Sequence, residues 1–311
     1  MRIAVVGTGG VGGGYGAALA KAGADVTFIA RGAHLAAMKS AGLKVTGSRG
    51  DTHLVPTHAT DDPAEIGKAD IVLFCVKLWD VESAGQAIKP LVGPETAVIP
   101  LQNGIDAAER LVPILDPNLG QNAVMGGVAQ ISASIIAPGV IQQVGTFMRM
   151  IFGEFDGKRR KRDEDFLALC LKAGFDATLS EQILTELWMK FIALATNASI
   201  TALTRQPIGK LRDDPDLRPI FKAACQETID VGRARGVTLP ADALERTLDF
   251  IGHAPPAMKA SMALDLERGN RLELPWLGGK VVEIGRQLGI PTPTHGMMYA
   301  MLKPYIMGTP D

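Results

Sequence analysis

Apolar residues come in short blocks along the first half of the chain and at helical spacing along the second. Residues 3–6 form an apolar run, followed by a glycine-rich stretch, a small-residue helical pattern and a second apolar run at 26–30. This order predicts strand, glycine turn, helix, strand. Residues 70–76 (DIVLFCV) and 96–101 (TAVIPL) are nearly continuous apolar runs, as parallel strands buried on both faces require. Up to about Gly153 the pattern alternates between strand and helix, which predicts a mostly parallel sheet with helices on both faces. Residues 131–136, the Pro138-Gly139 turn and residues 140–144 predict an antiparallel hairpin appended to that sheet. A helix over 163–173 and a short strand over 175–179 follow.

Beyond Ser180 no strand pattern recurs. Ser180 is placed to cap a long helix over 181–203, and further helices are expected over 216–235, 241–252, 256–268, 275–288 and 294–306. A chain of 311 residues exceeds the usual single-core size, so two domains are expected. They are an α/β domain over residues 1–180 and an all-helical domain over 181–311. A junction of this kind is a preferred place for a ligand.

The glycine stretch is Gly7-Thr8-Gly9-Gly10-Val11-Gly12, directly after the first strand and opening the first helix. In that setting Gly7 makes the tight turn, Gly9 admits a pyrophosphate to the backbone, and Gly12 lets helix pack closely on strand. The free N–H groups of the helix start then face the phosphates, so the stretch predicts a dinucleotide site. After the second strand stands Arg31, with no acid nearby. A carboxylate at that point would accept the ribose 2′-OH of NAD, whereas a guanidinium suits the 2′-phosphate of NADP. Lys77 and Asn103 end the two apolar strands, on the side of an open α/β sheet where ligands bind.

Composition narrows the remaining classes. A formal net charge of −1 leaves no electrostatic footprint for nucleic acid, and the one basic run, 158–162, is balanced at once by Asp163, Glu164 and Asp165. The three cysteines are far apart with no CxxC pair, and the five histidines show no metal-ligand spacing. Neither a disulfide framework nor a metal site is expected. No run reaches the length of a membrane span, and glycines break the first apolar run too early for a signal peptide, so the expected compartment is the cytoplasm. The late helices, rich in methionine over 297–307, suit either a core or a homodimer surface.

In the long helix Lys190 lies among Leu187, Trp188, Phe191 and Ile192. Desolvation there lowers a lysine's pKa and makes it a better proton donor near neutrality. The bland reading is a surface lysine paired with Glu186 one turn earlier. Lys190, Leu194, Asn197 and Thr201 share one helical face, a mixture suited to a polar substrate pocket.

Taken in order, GTGGVG, Arg31, the VKLW segment 76–79, the QNG segment 102–104, the ELWMKF segment 186–191, Glu227, the SMALD segment 261–265 and Glu273 resemble the ketopantoate reductases (2-dehydropantoate 2-reductases) over almost the whole chain. The resemblance implies a Rossmann-type N-terminal domain, a helical C-terminal domain, NADPH as cofactor and a 2-keto acid as substrate, in pantothenate biosynthesis. By position it implies Lys190 as general acid, with Asn103 near nicotinamide and substrate. It further implies Ser261 on the substrate carboxylate, Glu273 in the active-site hydrogen-bond network, Lys77 on the cofactor side, and Asn197 as a displaced substrate-binding asparagine. Three positions depart from the family pattern towards apolar side chains: Leu194, Pro275 and Leu277. A pocket that loses amides loses affinity for a hydroxyl-bearing substrate, so a keto acid other than ketopantoate is admitted. Other hydroxy-acid or opine-type dehydrogenases, and a non-catalytic NADP sensor, remain as alternatives.

Overall fold

The computed structural model describes residues 1–115 and 117–309, which leaves the last two residues of the expected helical domain outside it. Contacts divide the chain into two compact units. The first comprises Met1–Gln102 and Asp106–Ile183, and the second comprises Asn103–Ile105 together with the chain from Leu184 onward.

The first unit runs β1 (Arg2–Val6), α1 (Gly10–Lys21), β2 (Asp25–Ile29), α2 (Gly32–Ala41), β3 (Leu43–Gly47), β4 (Thr52–Leu54), β5 (Ala59–Thr60), β6 (Ile71–Phe74), α3 (Val81–Ala87), β7 (Ala97–Pro100), α4 (Ala107–Leu111), α5 (Pro117–Ala123), β8 (Gly126–Ala137), β9 (Val140–Gly153), α6 (Lys161–Lys172) and β10 (Asp176–Leu179). One sheet is parallel throughout, in the order β5-β2-β1-β6-β7. The order reverses direction between β1 and β6, the switch point where open α/β sheets take their ligands. Both strands are sealed, every residue from Ile3 to Val6 and from Ile71 to Phe74 being buried. That burial is what turned the sequence here into unbroken apolar runs.

The hairpin differs from expectation. β8 and β9 are far longer than the predicted arms, and they do not extend the parallel sheet; they found a second five-stranded sheet, β10-β9-β3-β4 with β8 on β9. Helix α1 lies between the two sheets. On one face Gly16 sits against Phe28 and Val5 of the parallel sheet, and on the other Gly10 sits against the Ala133 carbonyl of β8. Tyr15 ties the helix to the second sheet: its hydroxyl donates to the Arg149 carbonyl at 2.6 Å and accepts the Gln130 N–H at 3.2 Å. The run of glycines in GTGGVGGGYG therefore serves helix packing on two sides as well as the turn.

The second unit is helical: α7 (Ile183–Thr204), α8 (Ile208–Asp213), α9 (Leu217–Ala234), α10 (Ala243–Gly252), α11 (Ser261–Glu267), α12 (Gly278–Leu288) and α13 (Pro293–Leu302). Its core is built around Trp188, Phe191 and Ile192 of α7 together with Phe221, Ile229, Leu272, Leu274 and Val281. Burying side chains of this size contributes about 1.5–3 kcal/mol each. The Ser180 hydroxyl accepts the Gln182 N–H at 3.1 Å just before α7. α8 escaped the sequence reading, being a single short turn-and-a-half after Pro207. The helix expected over 256–268 begins only at Ser261, because Pro255 and Pro256 hold the preceding segment outside helical geometry. α13 divides its methionines: Met298 is buried, whereas Met297 and Met301 are exposed.

Candidate active site

In the α/β unit the glycine loop is tethered to the end of β2. The Ile29 carbonyl accepts the N–H groups of Gly7 and Thr8, both at 3.2 Å, and the Thr8 hydroxyl at 3.0 Å. Thr8 is thus turned inward, so the loop offers main chain outward. Gly7 has φ +90°, a conformation glycine adopts without strain. A Cβ on Gly7 would also strike the backbone of Cys75 and Val76 at 2.9 Å, beyond β6. The loop accordingly closes on the switch point between β1 and β6. Gly9 is the N-cap of α1, and nothing lies within 4 Å of where its Cβ would stand. The first-turn N–H groups of Gly10, Val11 and Gly12 have no intrahelical acceptors. A bare, open main chain at the start of a 12-residue helix fits a pyrophosphate. Arg31 is the N-cap of α2 and is exposed, as is Lys77, whose ammonium lies 5.5 Å from the centre of the Trp79 ring.

Gln102, just beyond β7, is 8% exposed, and neither of its amide atoms has a partner among the described residues. Arg110 on α4 clamps the segment after β6. It holds both Glu82 carboxylate oxygens, at 2.7 and 2.8 Å, and the Leu78 carbonyl at 2.6 Å. That hydrogen bonding keeps the Glu82 carboxyl below its ordinary range. Sequence reading had passed Arg110 over, since an arginine on a short helix carries no motif.

In the helical unit three predicted residues come together. The Lys190 ammonium donates to the Asn103 side-chain oxygen at 3.3 Å. The pairing is possible because Asn103–Ile105 belongs to this unit rather than to the sheet it follows. Ile105 enters the same apolar cluster as Trp188 and Ile192. Burial pushes the Lys190 pKa down to about 8, with the negative charge of Glu273 acting in the opposite direction. Glu273 is 5% exposed and immediately precedes the short turn Leu274–Trp276. Lys190 is therefore hydrogen-bonded to Asn103 and lies in the field of the Glu273 charge.

Asn197 and Ser261 share no hydrogen bond with these three among the described residues. Asn197 lies two turns further along α7, 6% exposed, with its side-chain oxygen unpartnered. Ser261 is exposed on the first turn of α11. Leu194 is partly buried against the apolar cluster, and Leu277 is fully within it. Glu227 has a structural task, accepting the N–H groups of Thr294 and His295 at 2.7 and 2.9 Å at the start of α13. Among the described residues no helix is long and apolar enough to cross a membrane, and no cluster of acidic, cysteine and histidine side chains is placed to hold a metal.

Residues 3–157 match the family model of ketopantoate reductase PanE/ApbA, and residues 182–305 match the model of its C-terminal region. The chain is 30% identical to a 2-dehydropantoate 2-reductase of Mesorhizobium japonicum, over 97% of both chains. It is 29% identical to an uncharacterized oxidoreductase, YkpB, of Bacillus subtilis, over 98% of this chain and 99% of that one. Among solved structures, a PanE/ApbA family ketopantoate reductase from Ralstonia eutropha superposes with a TM-score of 0.87 at 31% identity, covering 98% of each chain. A D-mandelate dehydrogenase solved with NADH and anilino(oxo)acetate shares the fold, with a TM-score of 0.88 at 17% identity and 98% coverage of each chain.

Proposed function

From its membership of the ketopantoate reductase family, a family of oxidoreductases, we propose that this chain reduces a 2-keto acid with NADPH, with Lys190 as general acid. The observation that carries the reading is the Lys190 ammonium, partly desolvated and bonded to Asn103 with Glu273 as its counter-charge.

Each residue then has a chemical task. Gly9, Gly10, Val11 and Gly12 would hold the pyrophosphate through main-chain N–H groups, Arg31 would take the 2′-phosphate, and Lys77 would face the cofactor. When bound, the nicotinamide supplies the hydride. Negative charge grows on the carbonyl oxygen during that transfer, and the Lys190 ammonium stabilises it and then gives up a proton to form the hydroxyl. Asn103 fixes the ammonium's direction. Glu273 keeps it protonated near neutral pH, against the desolvation that drives its pKa down. Ser261 and Asn197 would bind the substrate's carboxylate and its remaining polar group.

Within 2-keto acids, 2-dehydropantoate is the substrate the family implies, which would place the reaction in pantothenate biosynthesis in the cytoplasm. The apolar side chains at Leu194, Pro275 and Leu277 favour a keto acid with a less polar tail. Steady-state assays with a panel of 2-keto acids, run with NADPH and with NADH, test the whole reading. A preference for NADPH and for 2-dehydropantoate supports its family-level form. A preference for a keto acid lacking the hydroxyl supports the role of Leu194. Activity with no member of the panel rejects the reading.

A further inference from the structure

Lys77 stands on a segment with little regular structure of its own. β6 ends at Phe74, Lys77 is extended, and a single 3-10 turn, Leu78–Asp80, leads into α3. Only Leu78 is fully buried in that turn, while Lys77 is exposed. The direction of the Lys77 and Trp79 side chains therefore depends on how the turn's main chain is held.

The hold comes from α4. The Arg110 side chain is 18% exposed, and its fork spans two parts of the same segment: the Leu78 carbonyl, adjacent to both Lys77 and Trp79, and the Glu82 carboxylate in the first turn of α3. A third partner, Asp106, lies one turn earlier on the other side of the guanidinium at 3.6 Å. An isolated pair with a carboxylate as exposed as that of Glu82, 60%, contributes little. The carbonyl contact is different, because a planar fork engaging carboxylate and carbonyl together fixes their relative orientation. Lysine, a point charge, cannot reproduce both contacts.

We propose that Arg110 is a positioning residue of the cofactor site, setting the main chain of the Leu78–Asp80 turn so that Lys77 is presented to the dinucleotide. This rests on the reading that the chain binds NADPH and that Lys77 contacts it.

The test is a double-mutant cycle on the full-length protein, with NADPH affinity followed by its fluorescence on binding, and with KM and kcat measured in parallel. Arg110→Ala should weaken NADPH binding about tenfold, the change that about 1.4 kcal/mol produces, and raise the NADPH KM while leaving kcat at saturation. Arg110→Lys should recover only part of the loss. Combined with Lys77→Ala, Arg110→Ala should add almost nothing, because one residue acts through the other. Should Arg110→Ala fail to fold, Arg110→Lys and Glu82→Gln take its place in the same cycle. If Lys77→Ala weakens NADPH binding while the Arg110 variants do not, or if the two losses add in full, the inference fails and the cofactor reading stands. If the wild type binds no NADPH, or Lys77→Ala binds it as the wild type does, the cofactor reading fails and takes the inference with it.

Discussion

The candidate sites of the two units are built differently. At the glycine loop of the α/β unit, what faces outward is main chain. Thr8 turns its hydroxyl inward to Ile29, Gly9 has open space before it, and Gly12 leaves no room for a side chain against Gly7 and Val5. In the helical unit the candidate site is made of side chains: one ammonium, one amide and one carboxylate, assembled on an apolar core. A main-chain site is damaged by adding atoms, a side-chain site by removing them. The first kind tolerates few residues, whereas the second can change its specificity one substitution at a time.

The sharpest way to break this contrast is Lys190→Ala. Removal of a positioned general acid should lower turnover by about 10²–10⁴-fold, with NADPH affinity unchanged in a direct binding titration. Parallel loss of binding would show that the two units do not divide the labour in this way. A smaller effect is expected from Gly12→Ala, whose new methyl would press on the Gly7 carbonyl and stand 2.9 Å from Val5. Overpacking of this kind costs about 1–3 kcal/mol. Urea unfolding should show it, together with weaker cofactor binding and little change in kcat.

The smallest effect concerns the proton itself. On the proposed mechanism Lys190 must be charged to donate, so kcat/KM for reduction should be level below about pH 8 and fall as pH rises through that value. The reverse reaction, which needs the neutral amine as base, should rise over the same range. The Glu273 charge raises the lysine's pKa, so Glu273→Gln should move the fall to lower pH. A pH profile that does not move would mean that the carboxylate has no electrostatic hold on Lys190.

Much of this could be read in the sequence because the signals were local. A strand sealed on both faces writes a run such as IVLF, and a turn needing φ > 0 beside a helix start writes Gly7 and its neighbours. Lys190 could be singled out because its apolar neighbours lie within one helical turn. What escaped was non-local. Strands β3, β4 and β10 join β8 and β9 from distant parts of the chain, and a short strand such as THL carries no apolar alternation to announce it. Gly10, Gly13 and Gly14 also make room for residues more than a hundred positions away, which no local pattern announces. Arg110 and the placement of Asn103 with the helical unit were hidden for the same reason. Asn-Gly after a strand is an ordinary turn signal, and only the tertiary fold gives its amide a lysine partner.

Helix α1, held between two sheets, has a consequence for motion. A helix with one exposed face can fray or slide while the rest of its domain stays folded. This one has no such freedom, since Gly16 and Gly10 are pressed on opposite sides and Tyr15 is bonded to the second sheet. Beyond its open first turn, its amide hydrogens can reach solvent deuterium only when a large part of the α/β unit opens. These hydrogen-bonded amides should be among the last to exchange, and the helix they hold in place presents its open first turn as a fixed array of dipoles that requires no ordering when an anion arrives.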